Sequence, residues 1–150
     1  METRWIKNWL TVSGPQKPLS SFVGQAKGVY PRRKDALGES VLCFNSLVEL
    51  SPTATYLDEL AEWGCKGGAY NAERRSTSPS RDETRVAEFS FDTPWTPPLE
   101  FFHKIARMFP ALTFRLEYSP EDHEFEGKAE WSGGNLTLDQ CKGSTAPSSR

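Results

Sequence analysis

The sequence predicts an α+β sandwich: an antiparallel sheet of four to five strands, two main helices on one face, and an insert with a short helix. Three observations carry this reading. Four segments alternate apolar and polar residues, the mark of half-buried strands. Two others place apolar residues at helical spacing along one stripe. The order is strand, helix, insert, strand, strand, helix, strand, strand, and it contains a split β-α-β-β-α-β unit.

Residues 4–13 open the chain with Ile6, Leu10 and Val12 on one side and Trp5, Lys7, Trp9 and Thr11 on the other. Ser13-Gly14-Pro15 ends that strand. Leu19, Phe22, Val23 and Ala26 then form a helical stripe, with Pro18 in the first turn and Gly28 as its stop. Residues 31–40 are charged and turn-rich, and 41–50 is an apolar run whose type the pattern leaves open, with extended preferred to helical. Leu57, Leu60 and Ala61 place a short helix within 52–63, stopped by Gly64. Gly67-Gly68 leads into a strand over 69–74, and 75–83 is a polar connection.

Residues 84–92 alternate again, with Ala87, Phe89 and Phe91 on the apolar side. In the Thr93–Pro98 run, Thr96 is placed to cap a helix and Pro97 to occupy its first position. Leu99, Phe102, Ile105, Ala106 and Phe109 make that helix the most strongly patterned, and Pro110 closes it. Residues 111–118 put Leu112, Phe114, Leu116 and Tyr118 inward. Residues 124–131 alternate as the partner of a hairpin. One domain over 1–132 and a polar, disordered tail over 133–150 complete the expected organisation.

Composition limits the function. Hydrophobic residues make up 37% of the 150, the formal charge is −2, and five Trp and nine Phe supply a core. That balance lacks the basic footprint of a phosphate-backbone binder, so nucleic acid is not the expected partner. Between 117 and 130 six acids stand against Lys128. Three scattered cysteines without a CxxC pair, and only two histidines, give no metal-site spacing. Arg4 and Lys7 rule out a signal-peptide core at the start, and no run of about 18 apolar residues offers a membrane span. A cytoplasmic chain with free thiols, no cofactor and no membrane association is the expectation.

Three segments carry a resemblance: Trp5-Ile6-Lys7-Asn8-Trp9 through Gly14; Trp63-Gly64-Cys65-Lys66 before Asn71-Ala72; and Phe91-Asp92-Thr93-Pro94-Trp95-Thr96-Pro97-Pro98. Together they resemble the YubB ferredoxin-like family over roughly residues 4–132. The family consists of small proteins found mainly in plasmids and phages, with no established biochemical function. Gly67-Gly68-Ala69 separates Lys66 from Tyr70 where that family places an aromatic directly after the lysine. The resemblance implies the ferredoxin-like fold and a mobile-element origin, and it brings no catalytic residues.

The candidate binding residues are Trp63, Lys66, Asn71, Asp92 and Trp95, with Trp5 and Trp9 on the first strand. If 69–74 and 84–92 pair as a hairpin, Asp92 falls opposite Gly67 and near Lys66, flanked by Trp63 and Trp95. That corner reads either as an aromatic-walled pocket or as a packed structural corner. The open sheet face would carry Trp5, Lys7 and Trp9 beside Glu88, Asp92, Glu117, Glu124, Glu126 and Glu130, with Arg115 and Lys128 as the other bases. Such a face repels phosphate, and no basic-Gly-aromatic RNA-binding motif occurs. The arginines between 74 and 85 read as a solvated loop, His103 and His123 as ordinary residues, and Cys65 as a nucleophile only if His103 lay beside it. No residue set nominates itself as catalytic. The leading expectation is a non-enzymatic module binding a host or phage protein. A small enzyme around Lys66, Asn71, Asp92 and Trp95 is the alternative, and single-strand nucleic-acid binding is third.

Overall fold

A computed structural model describes residues 3–30, 39–75, 78–79 and 84–143. The strands are β1 (Trp5–Pro15), β2 (Tyr70–Arg74), the two-residue β3 (Ser78–Pro79), β4 (Thr84–Pro94), β5 (Thr113–Pro120), β6 (Phe125–Ser132) and β7 (Asn135–Gly143). The helices are α1 (Gln16–Ala26), α2 (Phe44–Leu47), α3 (Tyr56–Trp63) and α4 (Leu99–Met108). The sheet runs β2-β4-β1-β5-β6-β7, with β3 also pairing β4, and every pairing is antiparallel. Its first four strands are the split β-α-β-β-α-β unit. Six strands stand in line, more than the four to five expected.

The alternation works as read. Ile6, Leu10 and Val12 of β1, Ala87, Phe89 and Phe91 of β4, and Phe114 and Leu116 of β5 are buried beneath the helices. Phe22 of α1 packs edge-on against Phe89, Phe109 and Phe114, with ring centroids 5.3 to 6.2 Å apart. Such pairs add about 0.5–1.5 kcal/mol each beyond their area burial. From α4, Phe101, Phe102, Ile105 and Ala106 are buried against the same layer.

At four points the structure corrects or completes the expectations. The apolar run at 41–50, whose pattern leaves its type open with extended preferred, holds the single helical turn α2 over Phe44–Leu47. The Asn45 carboxamide oxygen accepts from the Leu50 backbone N–H at 2.9 Å, and Val48 N–H reaches Phe44 O at 2.8 Å. The resulting turn of helix stacks Phe44 on Phe101, centroids 3.8 Å apart. The second correction concerns α3, whose leucines face outward. Leu57 is 61% exposed and Leu60 40%, while Glu59 and Trp63 are buried. Glu59 accepts from the Tyr30 hydroxyl and, at 2.9 Å, from the Gly67 N–H. Burying one Trp and satisfying one carboxylate outweighs burying two leucines.

Third, Thr96 does not cap α4, which opens at Leu99 with no side-chain cap. Its hydroxyl instead donates to Gly64 O at 2.6 Å, tying the α4 entry to the end of α3. Fourth, residues 135–143 are not a disordered tail but the edge strand β7. Gly133 and Gly134, with φ of 61° and 85°, form the tight two-residue turn that folds β7 onto β6. The rest of that predicted tail, the loop at 31–38 and most of 76–83 lie outside the described residues.

Candidate functional site: the open face of the sheet

With the helices on one side, the other side of the sheet faces solvent, and the register fixes what stands there. One row crosses the whole sheet. Glu73 pairs Ser90, Ser90 pairs Trp9, Trp9 pairs Glu117, Glu117 pairs Lys128, and Lys128 pairs Gln140. A neighbouring row reads Glu88, Thr11, Arg115, Glu130, Leu138. On the other side of Trp9, Asp92 pairs Lys7, Lys7 pairs Ser119, and Glu126 pairs Lys142 further along.

A groove of about 830 Å³ lies over the Trp9 row and the Asp92–Lys7 side, not over the Glu88–Leu138 row. Among the described residues its charged lining is four bases, Lys7, Arg75, Lys128 and Lys142, and four acids, Glu73, Asp92, Glu117 and Glu126. The groove is therefore balanced, while the three rows together with Arg75 carry six acids against five bases, so the face is less acidic than the sequence suggests. Two of the four bases and one of the four acids stand at positions outside the expected face: Arg75, just past β2, Lys142 on β7, and Glu73 on β2.

Trp9 stands in the middle of the first row and is 43% exposed. The Arg75 guanidinium lies over its ring, 5.0 Å from the centroid. Asp92 is held on two sides: Lys7 Nζ is 3.5 Å from one carboxylate oxygen, and Asn71 Nδ2 donates to the other at 3.1 Å. Asn71 reaches it because its backbone takes φ of 53°, at a bulge where the β2–β4 register slips between Tyr70 and Glu73. Asparagine adopts that conformation more readily than most residues.

Of the seven candidates, the structure brings Asn71, Asp92 and Trp9 together. Lys66 is not beside Asp92. Tyr70, not Gly67, pairs Asp92, because Gly67 and Gly68 turn the chain at φ of 78° and 81° before β2 begins. Lys66 Nζ lies over the Tyr56 ring at 5.5 Å instead. Trp63 is core, edge-on to Tyr30 and Phe44, with its indole N–H donating to Val48 O at 3.0 Å. Trp95, with φ of 70°, is exposed outside the groove, and Trp5 packs edge-on to Tyr70 at 5.0 Å. Between the two readings of the Trp63–Trp95 corner, the packing of Trp63 fits the structural one.

Other chemistry finds little footing. Cys65 is fully buried, which pushes its thiol pKa up and disfavours the thiolate. His103 Nδ1 accepts the Trp131 indole N–H at 2.9 Å and so serves packing. Among the described residues no group of three or more His, Cys, Asp or Glu converges to hold a metal. Nor is any described helix long and apolar enough to cross a membrane.

Fold and site together define a ferredoxin-like α+β domain whose open face holds a charge-balanced, aromatic-centred groove. Residues 72–146, half of the chain, match the family model described as the ferredoxin-like domain in Api92-like protein, and the chain belongs to that family. Among solved structures it is similar to protein api92 from Yersinia pseudotuberculosis, at 18% identity and a TM-score of 0.45. The match covers 66% of this chain and 34% of that one, so this chain spans about a third of the api92 chain. No curated protein matches.

Proposed function

We propose that this domain is a non-enzymatic interaction module that holds an extended segment of a protein partner across its open face. The observation that carries the reading is the cross-sheet row from Glu73 to Gln140. It sets a half-exposed Trp9 in a groove of equal positive and negative charge. Ligand grooves combine an apolar anchor with a few placed polar groups, and aromatic anchors dominate protein interfaces. Balanced charge favours a polypeptide of mixed charge over a phosphate backbone, which would meet Glu73, Glu117 and Glu126. The resemblance to YubB proteins of plasmids and phages supports a host or phage protein as the partner.

The enzyme alternative has less support. Lys66 and Trp95 stand apart from Asn71 and Asp92, and among the described residues the groove lining contains no histidine or cysteine. The test is affinity capture from host lysate with three baits: the wild type, Trp9→Ala, and a helix-face control, Leu57→Gln with Leu60→Gln. The reading expects one reproducible protein, lost with Trp9→Ala and kept by the control. A partner lost only in the control, or none at all, sinks it.

A further inference from the structure

Resting on that reading of the groove, we infer that the partner segment carries an aromatic residue and, four residues away from it, a carboxylate. The first reason is which charges are already engaged. Lys7 is spent on Asp92, with Glu121 at 4.0 Å, and Arg75 on Glu73 and the Trp9 ring. Lys128 stands across from Glu117, but Glu117 Oε2 lies 3.5 Å from Arg115 Nε, on its own strand. Among the described residues, Lys128 and Lys142 have no carboxylate within 4.0 Å, and Glu126 has no base. Two cations against one anion, with the Gln140 carboxamide between them in register, leave the β6–β7 end of the groove short of negative charge. A carboxylate is the group that end accepts.

The second reason is spacing. Trp9 and Lys128 share one row, two strands apart, and Gln140 is one strand further. At about 4.8 Å per strand, the lysine end lies roughly 10–14 Å from Trp9. An extended peptide advances about 3.3 Å per residue and turns every second side chain to the same face. Residues i and i+4 therefore both face the sheet, about 13 Å apart. An aromatic on Trp9, taking the place of the Arg75 guanidinium over its ring, puts the i+4 side chain between Lys128 and Lys142, while i+2 lies over the Glu117–Arg115 pair and is best small and polar.

The test is a ¹H–¹⁵N NMR titration of the full chain with the capped heptapeptide acetyl-Gly-Tyr-Gly-Ser-Gly-Glu-Gly-amide, and with its counterpart carrying Lys in place of Glu. The inference expects saturable shifts at the Trp9 indole N–H and the Lys128 and Gln140 amides. It expects affinity at least tenfold weaker for the Lys peptide and a reversed preference in Lys128→Glu. Lys128 is exposed, so a dispersed spectrum for that variant, or for Lys128→Ala, shows that folding is intact. Equal binding of both peptides, shifts confined to the helix side, or tighter binding of a nucleoside monophosphate overturns it. If neither peptide binds while a captured partner still depends on Trp9, this inference fails and the interaction reading stands. If capture ignores Trp9, the interaction reading itself fails.

Discussion

The outward leucines of α3 allow a sharp test of the fold, because sequence pattern and structure make opposite demands. Glu59 is buried and accepts hydrogen bonds from Tyr30 Oη and Gly67 N. Hydrogen bonds to a charged group contribute about 1.5–3 kcal/mol each, part of which offsets the cost of burying the carboxylate. Glu59→Ala should therefore destabilise by about 3 kcal/mol, a large share of the roughly 5–15 kcal/mol that holds a typical domain. Glu59→Gln keeps the shape and an acceptor for Gly67 N–H and should cost about 1 kcal/mol. Leu57→Gln and Leu60→Gln change exposed positions with little change in helix propensity, so each should stay within about 0.5 kcal/mol. Were those leucines core, as their spacing suggests, truncation would cost about 2–5 kcal/mol apiece. Urea unfolding followed by circular dichroism reads the difference. At a slope of about 2 kcal/mol per molar, Glu59→Ala shifts the midpoint by about 1.5 M, and the leucine variants hardly move it. A leucine variant costing more than about 2 kcal/mol, or a Glu59→Ala variant as stable as the wild type, would refute the placement of α3.

Other outcomes follow from the same geometry. Burial, with Cys141 and Asp139 nearby, pushes the Tyr118 hydroxyl up to about 12. An ultraviolet titration should show a late phase there that Tyr118→Phe removes. Because this folded value lies above the ordinary one near 10, the stability it contributes is complete below pH 10 and is lost as pH rises through about 12. The Glu124 backbone N–H and the Arg4 guanidinium hold the Asp122 carboxyl below its usual value. Arg4→Ala should raise its midpoint in a carbon-detected NMR titration, and an unchanged midpoint would remove Arg4 from the account. Gly127 lies beneath the Tyr118 ring, which leaves no room for a Cβ. Gly127→Ala should cost about 1–3 kcal/mol by overpacking, measurable as a lowered Tm.

Much of the fold was legible because β1, β4, β5 and β6 bury one face only, and a half-buried strand writes its alternation into the sequence. The helices α1 and α4 showed for the matching reason at helical spacing. What stayed hidden depended on single side chains and on turns. A bond from Val48 N–H to Phe44 O closes a helical turn within a run whose pattern favours an extended chain, and the Asn45 carboxamide holds Leu50 after it. A hydrogen-bonded Glu59 is what α3 buries beside Trp63. β7 was passed over although Gly133-Gly134 after an alternating run is a hairpin signal. Without β7 and the residue past β2, the face lacks Gln140, Lys142 and Arg75 and reads as more acidic than it is. Trp9, Lys7, Asn71 and Asp92 were visible as residues, but their grouping was not. The bulge at Asn71 and the turn at Gly67-Gly68 shift the β2–β4 register and exchange Lys66 for Lys7 beside Asp92.

The central claim is that the open face of the sheet, centred on Trp9, is the binding face. Hydrogen–deuterium exchange on the captured complex, compared with the free chain, tests it most directly. Protection should fall on β1 between 5 and 11 and on β6 and β7 between 125 and 142, with α3 and α4 unchanged. Protection confined to α3 and α4, with β1, β6 and β7 exchanging as in the free chain, would contradict it.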